Sequence, residues 1–261
     1  NTIRDYVSIA PYTVYGIGGP ARYFADADTP EGIRDLVKFG RSKGVPFFVL
    51  GAGSNILVSD EGFPGIVIHI VNRNMSAEGT ILTADAGVSM AQAVAASANG
   101  SLTGFEWGIG IPGTVGGAVR GNAGCFGGEM KDVVSSILIL DTADESVPIR
   151  TIPRDACEFG YRNSIFKSHR EWIILSVSLA LAKGDPKEIQ KKILSITRER
   201  NEKQDIGTKS CGCIFKNVAW SDAGYSPDEL VRHFPEFEAI IGHPNIPASF
   251  LIDNAGLKGM R

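Results

Sequence analysis

Hydrophobic and polar residues follow two periodicities along the chain, and these predict short strands alternating with amphipathic helices. Thr29 and Pro30 mark a helix start, because threonine caps an N-terminus and proline suits the first helical position. This helix is expected to end near Gly44. Apolar runs predict strands at 46–50, 56–59 and 66–70. The first 70 residues therefore predict a small β-α-β-β unit.

The same reasoning extends through the rest of the sequence. Apolar runs predict further strands at 80–84, 133–140, 173–181 and 213–215. Apolar residues at helical spacing predict helices over 88–98, 185–202, 227–241 and 249–255. No internal repeat occurs. The pattern indicates an α+β protein in about three pieces.

Composition narrows the class of protein. Apolar residues make up 43% of the chain and charged residues 21%, which is typical of a folded protein and excludes disorder as the main state. The net charge is −3, so neither a nucleic acid nor an anionic membrane is expected as a partner. No run of about 18 apolar residues occurs, and residues 1–12 lack a signal-peptide pattern. Four cysteines without a disulfide or zinc spacing predict a reducing, cytoplasmic location.

Glycine is the unusual residue in this composition. The chain has 31 glycines, about 12% of its residues against a usual share of about 7%. They cluster at 16–19, at 51–53 and at 104–128. Glycine allows a ligand to approach the main chain closely and allows a positive φ. The clusters therefore predict a long, phosphate-bearing ligand held by main chain, with simple turns as the alternative.

The glycine motifs do not match the common nucleotide-binding loops. Gly108-Ile-Gly-Ile-Pro-Gly113 has the dinucleotide-binding spacing, but no clear strand precedes it and Pro112 interrupts it. Gly51-Ala-Gly-Ser-Asn55 follows a predicted strand and can bind an anion through consecutive N–H groups. The four scattered histidines are expected to be structural or surface residues, and no metal site is expected.

Two further segments carry polar groups that can take part in ligand binding or catalysis. Arg162 lies between aromatic residues in Phe159-Gly-Tyr-Arg-Asn-Ser-Ile-Phe-Lys, where a guanidinium can bind a carboxylate or a phosphate. The alternative is a surface arginine stacked on Tyr161. Ser210-Cys-Gly-Cys-Ile-Phe-Lys-Asn offers two thiols. The alternative for Cys213 is a small buried core residue.

Taken together, these segments resemble the UDP-N-acetylenolpyruvoylglucosamine reductase family, and the Asn-Ala-Gly-x-x-Gly-Gly-Glu form at 122–129 resembles its second subtype. The matching motifs occur in the family's order over nearly the whole chain. They are Tyr15-Gly-Ile-Gly-Gly-Pro-Ala, Gly51-Ala-Gly-Ser-Asn-Ile-Leu-Val, Ile111-Pro-Gly-Thr-Val-Gly-Gly-Ala, Asn122-Ala-Gly, the two segments around Arg162 and Cys213, and Leu251-Ile-Asp-Asn-Ala-Gly-Leu-Lys-Gly.

The resemblance implies a PCMH-type two-part FAD-binding fold followed by an α/β substrate-binding domain. It divides the chain into a first FAD-binding subdomain at 1–70, a second at 71–204 and a substrate-binding domain at 205–261. It implies bound FAD, and NADPH as the electron donor. The implied FAD-binding residues are Gly51, Ala52, Gly53, Ser54, Asn55, Ile56, Pro112, Gly113, Thr114, Gly116, Gly117, Asn122, Ala123 and Gly124.

The implied reaction reduces UDP-N-acetylglucosamine enolpyruvate to UDP-N-acetylmuramate, a step in the synthesis of the peptidoglycan cell wall on which cell shape and division depend. Hydride leaves flavin N5 for the vinyl carbon, and Arg162 matches the group that stabilises the resulting enolate. Cys213 matches a proton-donating serine, and a thiol, with an ordinary pKa near 8.5, releases a proton more readily than an alcohol. Tyr161, Lys203 and Asn217 match positions that contact the UDP-sugar. No obligatory protein partner is implied.

The resemblance also implies a catalytic glutamate after a Ser-x-x-His-Ala segment. Neither occurs in these 261 residues, which end at Leu257-Lys-Gly-Met-Arg261. The set formed by an arginine, an acid and a glutamate is therefore expected to be incomplete within this sequence.

Two other functions fit parts of the same pattern. A PCMH-type FAD oxidase of alcohols or sugars would share only the first two glycine clusters. A non-catalytic binder of flavin or UDP-sugar would explain the lack of the glutamate. Reoxidation by oxygen would indicate the oxidase, and binding without turnover would indicate the binder.

Overall fold

The computed structural model describes residues 2–203 and 209–260. The chain divides into two compact units, one within residues 1–210 and the other within residues 211–261. The predicted three-part division at residues 70 and 204 stays a prediction. The first unit contains helices and strands, and the second contains short helices and turns. The sequence pattern predicts such a mixture of elements.

The first unit begins with a four-stranded sheet and one helix. Its elements are β1 (Arg4–Ser8), β2 (Pro20–Ala27), α1 (Pro30–Ser42), β3 (Phe47–Leu50) and β4 (Phe63–Ile70). The strand order is β1-β2-β4-β3, with β1 antiparallel to β2 and with β2 and β3 parallel to β4. Parallel pairing needs a crossover, and α1 lies in the connection from β2 to β3.

Helix α1 forms where the sequence predicts it, and for the predicted reasons. The Thr29 side chain accepts a hydrogen bond of 3.1 Å from the N–H of Gly32, and Pro30 is the first helical residue. Its buried residues are Ile33, Leu36, Val37 and Gly40. Their spacing places them on one face of the helix, and α1 packs that face against β4.

The rest of the first unit is built around a second, five-stranded antiparallel sheet. Its elements, in chain order, are β5 (Met75–Glu78), β6 (Ile81–Asp85), α2 (Met90–Asn99), β7 (Leu102–Thr103), α3 (Val115–Arg120), β8 (Gly124–Cys125), β9 (Gly128–Glu129), α4 (Met130–Val133), β10 (Val134–Asp141), β11 (Ile149–Pro153), α5 (Ile165–Ser168), β12 (Trp172–Ala180), β13 (Ala182–Lys183) and α6 (Pro186–Lys203). The sheet order is β11-β10-β12-β6-β5. One continuous apolar core joins both large sheets with helices α1, α2 and α3.

The second unit has a small core of its own. It contains α7 (Pro227–His233), a short 3₁₀ helix (Pro235–Ile240) and α8 (Ala248–Asn254). Ser226 begins α7 with a capping box, because its hydroxyl accepts from the N–H of Glu229 and the Glu229 carboxylate accepts from the N–H of Ser226. The core consists of Leu230, Phe237, Ile240 and Ile246.

Most predicted elements are confirmed, but two predicted strands are wrong. Residues 56–59 form a loop whose apolar side chains, Ile56 and Val58, pack onto the small core beside β2. Residues 213–215 form a bend after Gly212, which has a φ of +80°, and Phe215 is exposed. Ile56 and Val58 thus pack on a core without forming a strand, and Phe215 lies on the surface. The predicted β-α-β-β unit has one strand before the helix, whereas the structure has two, β1 and β2.

No helix in the described part of the chain is long and apolar enough to span a membrane. Within residues 2–203 and 209–260, no group of three or more histidine, cysteine, aspartate or glutamate side chains is arranged to hold a metal ion. His69 contacts Asp26 at 2.6 Å, and His169 contacts Glu171 at 2.7 Å. Each of these two histidines is thus paired with a carboxylate.

Candidate functional site

The loop after β3, residues 51–56, is held by close main-chain approach. Gly53 has a φ of +61°, and its carbonyl accepts a 3.1 Å hydrogen bond from the N–H of Val14. A Cβ at this position would lie 2.0 Å from the carbonyl oxygen of Tyr12. Only glycine meets both conditions, so the loop lies against residues 12–14 because of its sequence.

The same loop contacts the second predicted FAD-binding segment, 58 residues further along the chain. The Ser54 hydroxyl donates a 3.1 Å hydrogen bond to the carbonyl of Pro112. A Cβ on Gly113 would lie 2.7 Å from the Ser54 hydroxyl oxygen, and a Cβ on Gly51 would lie 2.7 Å from that of Thr114. Two glycine loops that the sequence predicts separately are therefore packed against each other.

Main-chain bonds fix residues 113–117 beside β6 and α2. The N–H of Val115 donates to the carbonyl of Val88 at 2.8 Å, and the carbonyl of Gly113 accepts from Met90 at 3.1 Å. Thr114 caps α3 by accepting from the N–H of Gly117. These bonds hold residues 113–117 in place against the loop 51–56. The two segments are called the loop pair below.

The loop pair has the properties that a bound FAD requires. Within residues 2–203 and 209–260, the N–H groups of residues 52–55 donate to no other protein group. Unpaired main-chain donors next to a glycine-lined surface can bind the oxygens of a diphosphate. The available donors are neutral N–H and hydroxyl groups, which can bind diphosphate oxygens through the main chain. These residues therefore fit FAD.

Replacing Gly53 by alanine is expected to deplete FAD and to destabilise the protein. The new Cβ would overlap the Tyr12 carbonyl, and the left-handed backbone alone costs on the order of 1–3 kcal/mol. The flavin-to-protein absorbance ratio and the melting temperature of the purified protein measure the two effects.

Gly79→Ala is the matched control, because Gly79 has a φ of +60° but no other atom lies within 4 Å of the place that its Cβ would take. We expect this variant to keep its FAD while losing a similar amount of stability to backbone strain. Full FAD content and an unchanged melting temperature in Gly53→Ala would refute the assigned role of this loop.

Tyr161 and Arg162 form the tip of a tight turn. The N–H and carbonyl groups of Gly160 and Asn163 bond to each other at 3.0 and 3.1 Å. Arg162 has a φ of +53°, and its guanidinium lies 5.8 Å from the centre of the Tyr161 ring. The stacked arginine, one of the two alternatives that the sequence allows, is therefore present. Stacking leaves the edge of the guanidinium available for hydrogen bonds.

The turn reaches the predicted FAD-binding segment. The Arg162 guanidinium donates a 3.3 Å hydrogen bond to the carbonyl of Gly124, and Lys167 donates to the carbonyl of Arg162 at 2.6 Å. The structure therefore brings the predicted catalytic arginine together with residues 122–124.

Three groups in the elements around this turn have shifted pKa values. Burial, with Arg170 adding repulsion, lowers the pKa of Arg120, whose carbonyl accepts a 2.8 Å hydrogen bond from the buried Ser164 hydroxyl. A hydrogen bond to Glu129 raises the pKa of Lys131. Burial raises the pKa of the Cys157 thiol to about 11, so Cys157 is not expected to act as a nucleophile or an acid.

Three predicted site residues lie at or beyond the end of α6. Cys213 is exposed in the second unit, so the alternative that it is a buried core residue is wrong. The Asn217 side-chain oxygen accepts a 3.1 Å hydrogen bond from the N–H of Ala248. Lys203 is the last residue of α6, and its side chain lies outside the described part of the structure. The roles of these residues stay predictions.

Sequence reasoning missed the contacts that join the separate motifs. Tyr12 and Val14 support Gly53, and Glu129 contacts Asn122. The only signal for these contacts in the sequence was the glycines at 51, 53 and 113. Such a glycine indicates that another part of the chain or a ligand comes close to its main chain, but not which part.

Comparison with known proteins identifies close relatives of the whole chain. A family model described as an FAD binding domain matches residues 21–147. The chain is 35% identical over 255 residues to the UDP-N-acetylenolpyruvoylglucosamine reductase of Solibacter usitatus, covering 96% of this chain and 77% of that protein. It is 36% identical over 249 residues to the enzyme of the same name from Caldanaerobacter subterraneus, covering 95% and 73%.

Solved structures agree with these relatives. The UDP-N-acetylenolpyruvylglucosamine reductase of Thermus caldophilus matches with a TM-score of 0.75 and 30% identity, covering 100% of this chain and 83% of that one. Cholesterol oxidase from Brevibacterium sterolicum matches 70% of this chain and 37% of its own, with a TM-score of 0.52 and 13% identity. The second likeness shows a shared fold only, which is the PCMH-type arrangement expected from the sequence.

Proposed function

The chain belongs to the UDP-N-acetylenolpyruvoylglucosamine reductase family, and on that premise we propose how its residues carry out the family's reaction. It is an FAD-dependent oxidoreductase that uses NADPH to reduce UDP-N-acetylglucosamine enolpyruvate to UDP-N-acetylmuramate, a precursor of peptidoglycan. The observation that supports a catalytic role for this site most directly is the hydrogen bond from Arg162 to Gly124. It joins a guanidinium to a segment that the family resemblance assigns to the flavin.

The two glycine loops would hold FAD. Residues 52–55 offer main-chain N–H groups, and Ser54 and Thr114 add hydroxyl groups at the contact between the loops. FAD bound there would supply the chemistry that passes a hydride equivalent from NADPH to the vinyl carbon of the substrate. The main chain of both loops would bind the coenzyme in the conformation that it already has. Binding would therefore not carry the entropy cost of ordering these loops.

Arg162 would stabilise the negative charge that develops on the substrate. Addition to the vinyl carbon places charge on the neighbouring carbon and on its carboxylate. A guanidinium bonds a carboxylate through two parallel N–H groups, and a donor fixed in advance lowers the barrier most. The bonds to Gly124 and from Lys167 contribute to holding the turn in place.

Cys213 would supply the proton that completes the product. The carbon that carries the developing charge needs a proton from an acid within reach. Cys213 is an exposed thiol at the position that the resemblance matches to the family's proton donor. Tyr161, Lys203 and Asn217 would bind the UDP-sugar. In this proposal residues 205–261 form the substrate-binding domain, and residues 1–70 and 71–204 form the two FAD-binding subdomains.

A cytoplasmic location suits this chemistry. The reaction consumes NADPH and needs Cys213 as a free thiol, and a reducing compartment maintains both. Within the described residues, Cys125, Cys157 and Cys213 form no disulfide.

The function is tested by coupled measurement of cofactor and product. The full-length protein should oxidise NADPH only when UDP-N-acetylglucosamine enolpyruvate is present, and mass spectrometry should find a product heavier by two hydrogens. UDP-N-acetylglucosamine, which lacks the enol ether, is the control and should give no oxidation. Substrate-independent oxidation, or consumption of oxygen with a sugar alcohol as reductant, would contradict the proposal.

A further inference from the structure

Asn122 is the most deeply buried polar residue of the segment that follows α3. Only 1% of its surface is exposed, and its φ is +42°. Asparagine is one of the few residues other than glycine that adopt this left-handed conformation readily. The sequence resemblance assigns Asn122 to FAD, but its surroundings indicate a different use of the side chain.

The side-chain amide of Asn122 is occupied by protein groups. Its nitrogen donates to the carboxylate of Glu129 at 2.8 Å and to the carbonyl of Gly160 at 3.0 Å, which uses both amide hydrogens. Its oxygen accepts from the N–H of Lys131 at 3.0 Å. Because two partners are acceptors and one is a donor, the orientation of the amide is fixed by the network.

One of these bonds reaches the turn that carries Arg162. Gly160 closes the turn by bonding to Asn163, and its carbonyl is the acceptor for Asn122. The Arg162 guanidinium donates a hydrogen bond to the carbonyl of Gly124, which lies two residues after Asn122. The turn is therefore attached to the segment 122–124 at two points, its base and its tip. Of these two attachments, the one at the base is independent of the Arg162 side chain.

We propose that Asn122 is a positioning residue for Arg162, and that its side chain does not bind FAD; the inference rests on the proposed function. The Asn122–Gly160 bond sets where the turn stands relative to the coenzyme-binding segment. Without it, the guanidinium keeps its charge but loses its fixed place. A displacement of about 1 Å in a group that acts on the transition state can reduce a rate by about 10²-fold.

Asn122→Gly separates this role from backbone strain, since glycine keeps the left-handed backbone and removes only the amide. We expect the variant to retain FAD and to be reduced by NADPH within about threefold of the wild-type rate. Its reoxidation by UDP-N-acetylglucosamine enolpyruvate should be slower by about 10- to 100-fold. Ser101→Gly is the matched control, because Ser101 has a φ of +55° and makes no side-chain hydrogen bond within the described residues.

A double-mutant cycle distinguishes positioning from general loosening. If Asn122 acts through Arg162, Asn122→Gly should slow reoxidation by less than about threefold in a protein that already carries Arg162→Ala. Should Asn122→Gly not fold, Asn122→Ala replaces it, since a methyl group cannot donate to Gly160. Additive effects in the cycle, loss of FAD, or equal slowing of both half-reactions would overturn the proposal.

Hydrogen exchange provides a test that does not depend on the reaction. Asn122→Gly should speed exchange of the Gly160 and Asn163 amides by about tenfold or more, whereas Ser101→Gly should leave them unchanged. Unchanged exchange at both amides would overturn the positioning role. A wild-type protein that the substrate never reoxidises would instead contradict the proposed function, and the exchange data would still decide whether Asn122 holds the turn.

Discussion

Arg162→Ala is expected to slow reoxidation of the reduced protein by UDP-N-acetylglucosamine enolpyruvate by about 10²- to 10³-fold, the usual effect of removing one charge-stabilising donor. The reason is that the guanidinium acts only after charge begins to develop on the substrate. Stopped-flow absorbance of the flavin measures this half-reaction separately from reduction by NADPH. Reduction should stay within about threefold of wild type, because Arg162 takes no part in the electron transfer from NADPH.

Two variants sharpen this result. Arg162→Lys keeps the charge but loses the planar fork, and should fall between alanine and wild type. Arg198→Ala removes an exposed arginine that pairs with Glu202 four residues along α6, and should leave both half-reactions unchanged. Equal slowing of the two half-reactions in Arg162→Ala would mean that the residue supports the FAD site and not the substrate.

Cys213→Ala is expected to slow the same reoxidation step by about 10²- to 10⁴-fold, the range for loss of a positioned general acid. FAD content and reduction by NADPH should not change. Cys213→Ser should retain much of the activity, because a hydroxyl stands at the matching position in the family. The measurement is again single-turnover reoxidation, with formation of UDP-N-acetylmuramate followed by quenched-flow chromatography.

Cys211→Ala is the matched control, since it removes the other thiol of the same Cys-Gly-Cys motif. It should reoxidise within about threefold of wild type if only Cys213 delivers the proton. A normal rate in Cys213→Ala, or equal losses in both cysteine variants, would exclude the proton-donor role.

Much of the fold follows from local signals in the sequence. Helix α1 shows why, because its cap at Thr29, its first-turn Pro30 and its buried face are all readable from neighbouring residues. The two wrong strands show the limit. At 56–59 the apolar residues pack as a loop, and at 213–215 they are exposed. Apolar runs of three or four residues do not specify whether a partner strand exists.

The site was predictable as a set of motifs but not as an arrangement. Glycine clusters indicated close approach, and the structure gives Gly53 and Gly113 the tight surroundings that such a residue requires. The Ser54–Pro112 and Asn122–Gly160 bonds join residues 58 and 38 positions apart. No periodicity encodes such pairs, because they depend on how the sheets and loops pack in three dimensions. Asn122 was therefore assigned by resemblance alone.

The role of bound flavin between NADPH and the enolpyruvyl substrate is decided by an anaerobic titration of the purified protein. We expect a flavin absorption spectrum that one equivalent of NADPH removes and one equivalent of UDP-N-acetylglucosamine enolpyruvate restores, with UDP-N-acetylmuramate formed in the same amount. A protein that takes up no FAD, or whose reduced flavin is not restored by that substrate, would contradict it.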